Sequence, residues 1–182
     1  VFTTPPRPIS PVPPMDFVVS YPKSGNHWNR MVAIAYETEV SREDLVQLKK
    51  GNLVELKLVD IDTSPYQAVS PIPVSELDFG AQVRLRPAAL LILEKEVSLL
   101  DDRDPLLVQS HHLNAEINDI PLWHHDWVDH VVNPVRDPRE VCCSQAAHFG
   151  ISYAESAKVM ANSDARTGPG ESPDLHWFTG SW

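Results

Sequence analysis

Residues 16–28 read DFVVSYPKSGNHW, and this stretch decides the fold. Residues 17–19 are continuously apolar, which is typical of a short buried strand, and Pro22 ends that strand. The turn-rich loop that follows leads into a predicted helix, because apolar residues then recur at helical spacing: Trp28, Met31, Val32 and Ala35. A strand, a glycine-bearing loop and a helix in this order make up half of a βαβ unit.

Two further segments have the composition of short buried strands. Residues 106–110 read LLVQS and end at His111. Residues 129–135 read DHVVNPV, in which Pro134 removes one ladder donor. Because helical patterns accompany these strands, the sequence predicts a single α/β domain with a parallel β-sheet flanked by helices.

One of the predicted helices carries clear start signals. Asp137 can cap it, Pro138 suits its first position, and Glu140 completes a pattern like a capping box. The core face of this helix is predicted to consist of Cys142, Ala146 and Phe149.

The remaining predicted elements are less sharply marked. Helices are expected to start near residue 41, to cover residues 87–100 with Pro87 in the first turn, and to cover residues 152–162. Residues 51–86 are expected to be irregular or to form an edge hairpin, and residues 166–173 to form a Gly/Pro loop.

Composition narrows the class of protein. The 182 residues include 15 Lys and Arg against 25 Asp and Glu, a net charge of −10, which argues against nucleic acid or an anionic membrane as the main partner. No apolar run reaches the ~18–20 residues of a membrane span, so a cytoplasmic protein is expected. Cys142 and Cys143 are adjacent, a poor arrangement for a disulfide, and a reducing compartment is expected. One or both are expected to be small buried hydrophobes on a helix. Residues 1–15 form a proline-rich extended lead-in, and residues 16–182 form the domain.

Two candidate anion sites follow strands of the predicted sheet. After the first strand, residues 23–27 place a cation, a hydroxyl and several backbone N–H groups at a helix N-terminus, and Gly25 lets the chain approach an anion closely. After the third strand, Arg136 and Ser144 offer a guanidinium and a hydroxyl for a second phosphate. The first loop does not fit GxxxxGK[ST], because Lys23 and Ser24 precede Gly25, and no Ser or Thr follows a Gly-Lys pair to hold magnesium.

Taken together, these segments resemble the sulfotransferase family. Residues 18–28 (VVSYPKSGNHW) resemble its 5′-phosphosulfate loop, and residues 135–144 (VRDPREVCCS) resemble its 3′-phosphate segment. Residues 108–111 (VQSH) resemble the strand that ends in its catalytic histidine, and residues 180–182 (GSW) are similar to the start of a later motif. The resemblance implies a P-loop NTPase-like sulfotransferase fold.

The resemblance also implies a donor and a role for each residue. The donor would be 3′-phosphoadenosine 5′-phosphosulfate (PAPS), with adenosine 3′,5′-diphosphate as product and no metal. Lys23 would hold the 5′-phosphate and neutralise charge on the leaving oxygen, and His111 would be the general base. The other implied binding residues are Ser24, Gly25, Asn26 and His27 for the 5′-phosphate, Trp28 for the adenine, and Arg136 and Ser144 for the 3′-phosphate.

Four departures from the family pattern stand out. The family usually has threonine where His27 stands and often lysine where Gln109 stands, and Pro134 disturbs the strand before Arg136. The sequence ends at Trp182, before the family's C-terminal Arg-Lys-Gly segment, so a C-terminal truncation is expected.

Several histidines and aromatic residues have alternative interpretations. His112 competes with His111 for the role of base, and the alignment of Gln-Ser-His favours His111. Trp123 and Trp127 are expected to pack in the core, with a wall of an acceptor pocket as the alternative. A metal site is not expected, because the spacing of the nearby polar residues fits no standard zinc pattern; these are His124, His125, Asp126, Asp129 and His130.

Three functions remain open from the sequence. The first is a sulfotransferase that acts on a hydroxyl or amine of a small-molecule, carbohydrate or lipid acceptor. The second is a truncated, non-catalytic sulfotransferase-like domain that binds nucleotide or protein, which Gln109 and the position of Trp182 motivate. The third is a nucleotide kinase or another phosphoryl-transfer enzyme, against which the missing GxxxxGK[ST] motif speaks.

Overall fold

The computed structural model describes residues 15–37, 58–98, 107–124, 126–169 and 173–182, which form an α/β structure. The strands are β1 (Met15–Val19), β2 (Leu107–Ser110), β3 (Glu116–Ile117), β4 (Ile120–Pro121), β5 (Val128–Val132), β6 (Arg166–Thr167) and β7 (Trp177–Phe178). The α-helices are α1 (Asn26–Glu37), α2 (Thr63–Val69), α3 (Phe79–Ser98), α4 (Pro138–Phe149) and α5 (Tyr153–Met160), and Val74–Glu76 is a 3₁₀ helix.

The predicted parallel sheet is confirmed. Its strand order is β2-β1-β5, and both neighbours run parallel to β1. In register, Phe17 lies opposite Val108 on one side and Val131 on the other. The carboxyl ends of all three strands therefore meet at one edge, where open α/β sheets bind their ligands.

The central and outer strands differ in burial. Phe17 and Val18 of β1 are completely buried, as their continuous apolar run predicts. The expectation that the third strand is also buried is wrong, because Val131 and Val132 of β5 are about half exposed. This strand ends before Pro134, so the missing N–H of the proline lies outside the ladder.

The first helix presents a different face to the core than predicted. Met31 is buried, but Trp28 and Val32 are exposed, and Arg30 is completely buried. The apolar spacing located the helix correctly, but the packed side of its first turns includes a charged residue. The reason lies in the site described below, where Arg30 is hydrogen-bonded.

Helix α3 begins eight residues before the predicted start. Asp78 caps it by accepting a hydrogen bond from the backbone N–H of Ala81 at 2.7 Å, and Pro87 lies inside the helix. Burial explains why the helix tolerates this proline: Leu90 and Leu93 pack against the sheet in one apolar cluster with Phe17. Tertiary packing thus outweighs the lost helical hydrogen bond.

The described part of residues 51–86 is more regular than expected. Val59 bridges to Gln109 at the outer edge of β2, and α2 and the 3₁₀ helix follow where irregular structure was predicted. Asp62 caps α2 through its carboxylate, which accepts from the N–H of Ser64 at 2.8 Å. The helix start near residue 41 and residues 51–57 lie outside the described residues.

The cap predicted at the start of α4 is largely confirmed, and the start of α5 has a cap that was not predicted. The Asp137 carboxylate accepts from the N–H of Arg139, and Pro138 occupies the first helical position. Ser152 and Glu155 form a capping box at α5. The predicted core face of α4 is only partly correct, because its buried residues are Val141, Gln145 and Ala146, while Phe149 is half exposed.

A second buried region contains an ion pair and connects β7 to helix α3. Arg86 and Asp60 form an ion pair at 2.7 Å with both side chains about 1% exposed or less, and the indole N–H of Trp177 donates to the other carboxylate oxygen. Trp177 belongs to β7, which pairs antiparallel with β6, so part of the predicted loop at residues 166–173 is a strand.

The cysteines and the helices bear on two further expectations. Both cysteines are free, with Cys142 half-buried and Cys143 exposed, so the expectation that one or both are buried is wrong. Among the described residues, no helix combines the length and the apolar character that a membrane span needs.

Candidate functional site

The loop after β1 turns sharply before α1 begins. The N–H of Ser24 donates to the carbonyl of Tyr21 at 3.2 Å, which closes a turn. Lys23 and Gly25 both have positive φ, +68° and +109°. At Gly25 a side chain would be strained by this backbone conformation, so the glycine has a conformational role.

The first turn of α1 leaves backbone donors available. The first helical hydrogen bond runs from the N–H of Asn29 to the carbonyl of Gly25 at 3.0 Å. The N–H groups of Asn26, His27 and Trp28 therefore have no acceptor within the helix. Together with the helix dipole, these groups form a positive pole at the sheet edge.

The second candidate anion site lies against this loop. A guanidinium N–H of Arg136 (Nη1) donates to the carbonyl of Lys23 at 3.3 Å. The Nε–H of the same arginine donates to the carboxylate of Glu140 at 3.0 Å, so Glu140 does not close the expected capping box. The two motifs, 113 residues apart in sequence, are neighbours in the structure.

A cavity of about 1200 Å³, hereafter the larger cavity, lies between these elements. Eight of the nine predicted site residues line it: Lys23, Gly25, Asn26, His27, Trp28, His111, Arg136 and Ser144. The ninth, Ser24, lines the adjacent cavity instead, and its Oγ is buried without a hydrogen-bond partner among the described residues.

The side chain of Asn26 has a structural role. Its Nδ2 donates to the carbonyls of Val18 at 2.7 Å and Ser110 at 3.1 Å, which ties the ends of β1 and β2 together. Any contribution of Asn26 to binding an anion therefore comes from its backbone N–H.

Sequence reasoning missed several residues of the larger cavity. Trp177, His148 and Phe149 also line it, as does Gln109, which the sequence analysis had noted only as a departure from the family pattern. His148 lies four residues after Ser144, and that spacing places both on one helical face, so a signal for His148 was present. Phe149 was assigned to the core, and the structure places it half exposed at this cavity.

His111 has hydrogen-bond partners at both ring nitrogens. Nδ1 lies 2.6 Å from the carbonyl oxygen of Ser20, and Nε2 lies 3.0 Å from Nε2 of Gln109. Because a carbonyl can only accept, Nδ1 carries the proton and Nε2 holds the lone pair. The Gln109 amide then donates to that lone pair.

The charge state of His111 follows from its surroundings. Burial lowers its pKa below the ordinary value, and the cations Arg30 and Lys23 act in the same direction. The hydrogen bond to Ser20 and the Asp60 carboxylate oppose this shift but do not outweigh it. The imidazole is therefore neutral at neutral pH, as a general base must be before it accepts a proton.

The adjacent His112 is engaged elsewhere. Its Nδ1 accepts from the backbone N–H of Phe178 at 3.0 Å, which joins β7 to the end of β2. Burial lowers its pKa to about 3, with the Arg86 guanidinium contributing. Of the two candidate bases, only His111 borders the larger cavity.

A second cavity of about 790 Å³, hereafter the smaller cavity, also borders His111. Its walls include Trp123, Val128, Val131 and Trp182. Trp123 also packs edge-on against Phe17 with ring centroids 5.2 Å apart, which confirms that it packs in the core. It borders the smaller cavity as well, and an acceptor at that wall stays a prediction. His111 lines both cavities.

The predicted absence of a metal site was argued from spacing. In the described residues, Asp16, Asp129 and His130 bring potential ligand atoms within 4.8 Å of one another. These groups lie mostly exposed, and the Nδ1 of His130 bonds to the Asp16 carboxylate. Hydrogen bonding within the group accounts for the cluster.

Comparisons with known proteins give no relative. No protein-family model, curated protein or solved structure was found to match this chain. The function is therefore argued from the site alone.

Proposed function

We propose that this protein is a sulfotransferase with a sulfotransferase-type α/β fold. It would transfer the sulfuryl group of PAPS to a hydroxyl or amine of an acceptor. The observation that carries the proposal is the contact between Arg136 and the Lys23 carbonyl, because it brings both anion-binding motifs and His111 to one cavity.

The larger cavity fits a ligand with two separate phosphate groups. One group of anion-binding residues consists of the N–H groups of the α1 N-terminus and the ammonium of Lys23. The other consists of the guanidinium of Arg136 and the hydroxyl of Ser144. The ring of Trp28 is 67% exposed on the same cavity, which leaves one of its faces available for a planar base.

His111 is placed to receive a proton during transfer. Bound PAPS supplies an electrophilic sulfur whose bond to the bridging phosphate oxygen breaks as the acceptor oxygen bonds to sulfur. The Nε2 lone pair of His111 takes the acceptor's hydroxyl proton, once the Gln109 amide yields its place. Fixed positive charge from Lys23 stabilises the charge that develops on the leaving oxygen.

The smaller cavity is the proposed acceptor site. Its walls of Trp123, Val128 and Val131 suit the apolar body of a small molecule or lipid. His111 lines both cavities, so an acceptor in the smaller cavity could bring its hydroxyl to the imidazole beside the donor.

Isothermal titration with adenosine 3′,5′-diphosphate tests the proposal. We expect wild-type protein and the Arg84→Ala control to bind alike, because Arg84 is exposed on α3. Arg136→Ala should weaken binding about 10- to 100-fold, since a hydrogen bond to a charged group is worth about 1.5–3 kcal/mol. Absence of binding by folded wild-type protein at millimolar ligand would reject the proposal.

A non-catalytic, nucleotide-binding domain is the second candidate function. The hydrogen bond between the Gln109 amide and Nε2 of His111 favours it, because this bond occupies the lone pair that catalysis needs. This alternative predicts nucleotide binding with no sulfuryl transfer from PAPS to any member of a broad acceptor panel. Turnover above background would exclude it.

A further inference from the structure

Three hydrogen bonds in series connect α1 to the candidate base. Arg30 Nη1 donates to Oε1 of Gln109 at 2.7 Å, and Nε2 of Gln109 lies 3.0 Å from Nε2 of His111. His111 Nδ1 then lies 2.6 Å from the carbonyl oxygen of Ser20. We propose that Arg30 and Gln109 are positioning residues that hold His111 in its neutral Nδ1–H tautomer, ready to serve as base; the role in catalysis rests on the proposed function.

Each bond in this series has only one consistent direction. The Ser20 carbonyl accepts, so the ring proton is on Nδ1 and Nε2 must accept. The side chain of Gln109 must then present its NH₂ group to His111 and its oxygen to Arg30. A guanidinium can only donate, so Arg30 fits the remaining position.

Arg30 determines the orientation of the Gln109 amide. A flipped amide would direct its oxygen at the lone pair of His111 and its NH₂ at the guanidinium donors. Both contacts would be repulsive, so the flipped arrangement is disfavoured as long as Arg30 is present. Arg30 is completely buried, which strengthens this electrostatic control.

The series also explains how the base is released. An acceptor hydroxyl must replace the Gln109 amide at Nε2 of His111 before its proton can transfer. The displaced NH₂ group remains attached to a side chain whose oxygen is held by Arg30, so it can donate to a nearby anionic oxygen instead. Gln109 lines the larger cavity, where the transferring group would lie.

The test uses long-range ¹H–¹⁵N NMR of ¹⁵N-histidine-labelled full-length protein, with His111→Gln to assign the signal. For wild type we expect the Nδ1–H tautomer and a pKa below the ordinary value of about 6.5. Gln109→Glu is nearly isosteric, but its carboxylate accepts a hydrogen bond from the Nε2–H of the protonated imidazole. It therefore stabilises the charged ring, and the pKa of His111 should rise above that value. Gln67→Glu, an exposed position on α2, should leave the pKa unchanged.

Changes at Arg30 test its hold on the Gln109 amide. Arg30→Met frees the amide to turn its oxygen toward the Nε2–H of a protonated ring, so the pKa of His111 should rise. The rise should be larger than the one Arg30→Met causes in a Gln109→Met background, where only the loss of the Arg30 charge acts. Arg30→Lys retains a charged donor and should restore the wild-type pKa, and equal rises in the two backgrounds would show that Arg30 acts through its charge alone.

The outcomes separate the two proposals. If wild type binds adenosine 3′,5′-diphosphate but Gln109→Glu leaves the tautomer and pKa of His111 unchanged, the positioning role is wrong and the proposed function stands. If wild type does not bind the nucleotide, the proposed function fails, and the catalytic role of Arg30 and Gln109 fails with it. Should Arg30→Met not fold, Gln109→Glu decides the question alone.

Discussion

Replacing Asp60 by asparagine should destabilise the protein severely. The carboxylate and Arg86 are each about 1% exposed, and the carboxylate accepts from Arg86 at 2.7 Å and from the Trp177 indole. Asparagine retains the shape but leaves the Arg86 guanidinium buried without a counter-charge. Breaking such a buried pair from one side costs about 3–5 kcal/mol.

The expected loss is measurable as a melting temperature. For a chain of this size, 1 kcal/mol corresponds to about 2–4 °C, so Asp60→Asn should lower Tm by about 6–20 °C. Circular dichroism melts at pH 7 would measure this. Asp119→Asn is the matched control, because Asp119 is exposed in a turn with φ +61°, which asparagine tolerates.

The effect should depend on pH with a defined sign. Burial alone raises the pKa of Asp60, but the Arg86 guanidinium and further favourable contacts outweigh it and hold the pKa below its usual value. Stability from the ionised carboxylate is therefore present above the unfolded-state pKa, about 3.9, and is lost as pH falls through the folded-state pKa. A variant that melts within 1 °C of Asp119→Asn at pH 7 would refute the reasoning.

Three further predictions concern the site and one buried acid. Glu140→Gln should tighten binding of adenosine 3′,5′-diphosphate about 1.5- to 5-fold by titration calorimetry, because an exposed ion pair worth about 0.2–1 kcal/mol no longer competes for Arg136; unchanged or weaker binding would contradict this. Gly25→Ala should lower both Tm and nucleotide affinity, because its φ of +109° strains any side chain, and an alanine variant that binds normally would refute that role. Burial raises the pKa of Glu94 to about 7, so the stability that the protonated carboxyl group gives at low pH is lost as the pH rises through 7. Glu94→Gln should therefore raise Tm relative to wild type at pH 8 but not at pH 5. An equal effect at the two pH values would count against this prediction.

Sequence patterns predicted the parts of the fold that depend on local signals. The strand before Pro22, the loop at Gly25 and the cap at Asp137 each need only a few adjacent residues to be recognised. The helix predicted over residues 152–162 is found as α5, although its capping box at Ser152 was not predicted. The prediction of a parallel sheet also implied that the carboxyl ends of its strands lie at one edge.

The errors arose where distant residues decide the outcome. Pro87 was read as a helix start, but Asp78 caps the helix and packing against β1 stabilises it through the proline. Phe149 was assigned to the core because its spacing fits, although the adjacent cavity leaves it half exposed. Periodicity identifies a helical face but does not show what lies against it.

The most consequential residue of the site was the hardest to predict. Arg30 lies on the helix face that faces the protein interior, and nothing in its neighbourhood along the chain marks it as buried. Its partner Gln109 is 79 residues away and belongs to a strand paired with β1. The sequence alone suggested only that Gln109 removes a charge, whereas the structure places a buried guanidinium directly behind it.

The strand order explains how one loop can serve both partners. Because β1 lies between β2 and β5, the loop after β1 is next to His111 on one side and Arg136 on the other. His111 follows β2 and Arg136 follows β5, and these two strands do not pair with each other. A ligand that contacts both residues must therefore cross the Lys23 loop. Attraction for such an anionic ligand must be local, because the whole chain carries a net charge of −10. The cations around this loop, at the N-terminus of α1, supply that local field.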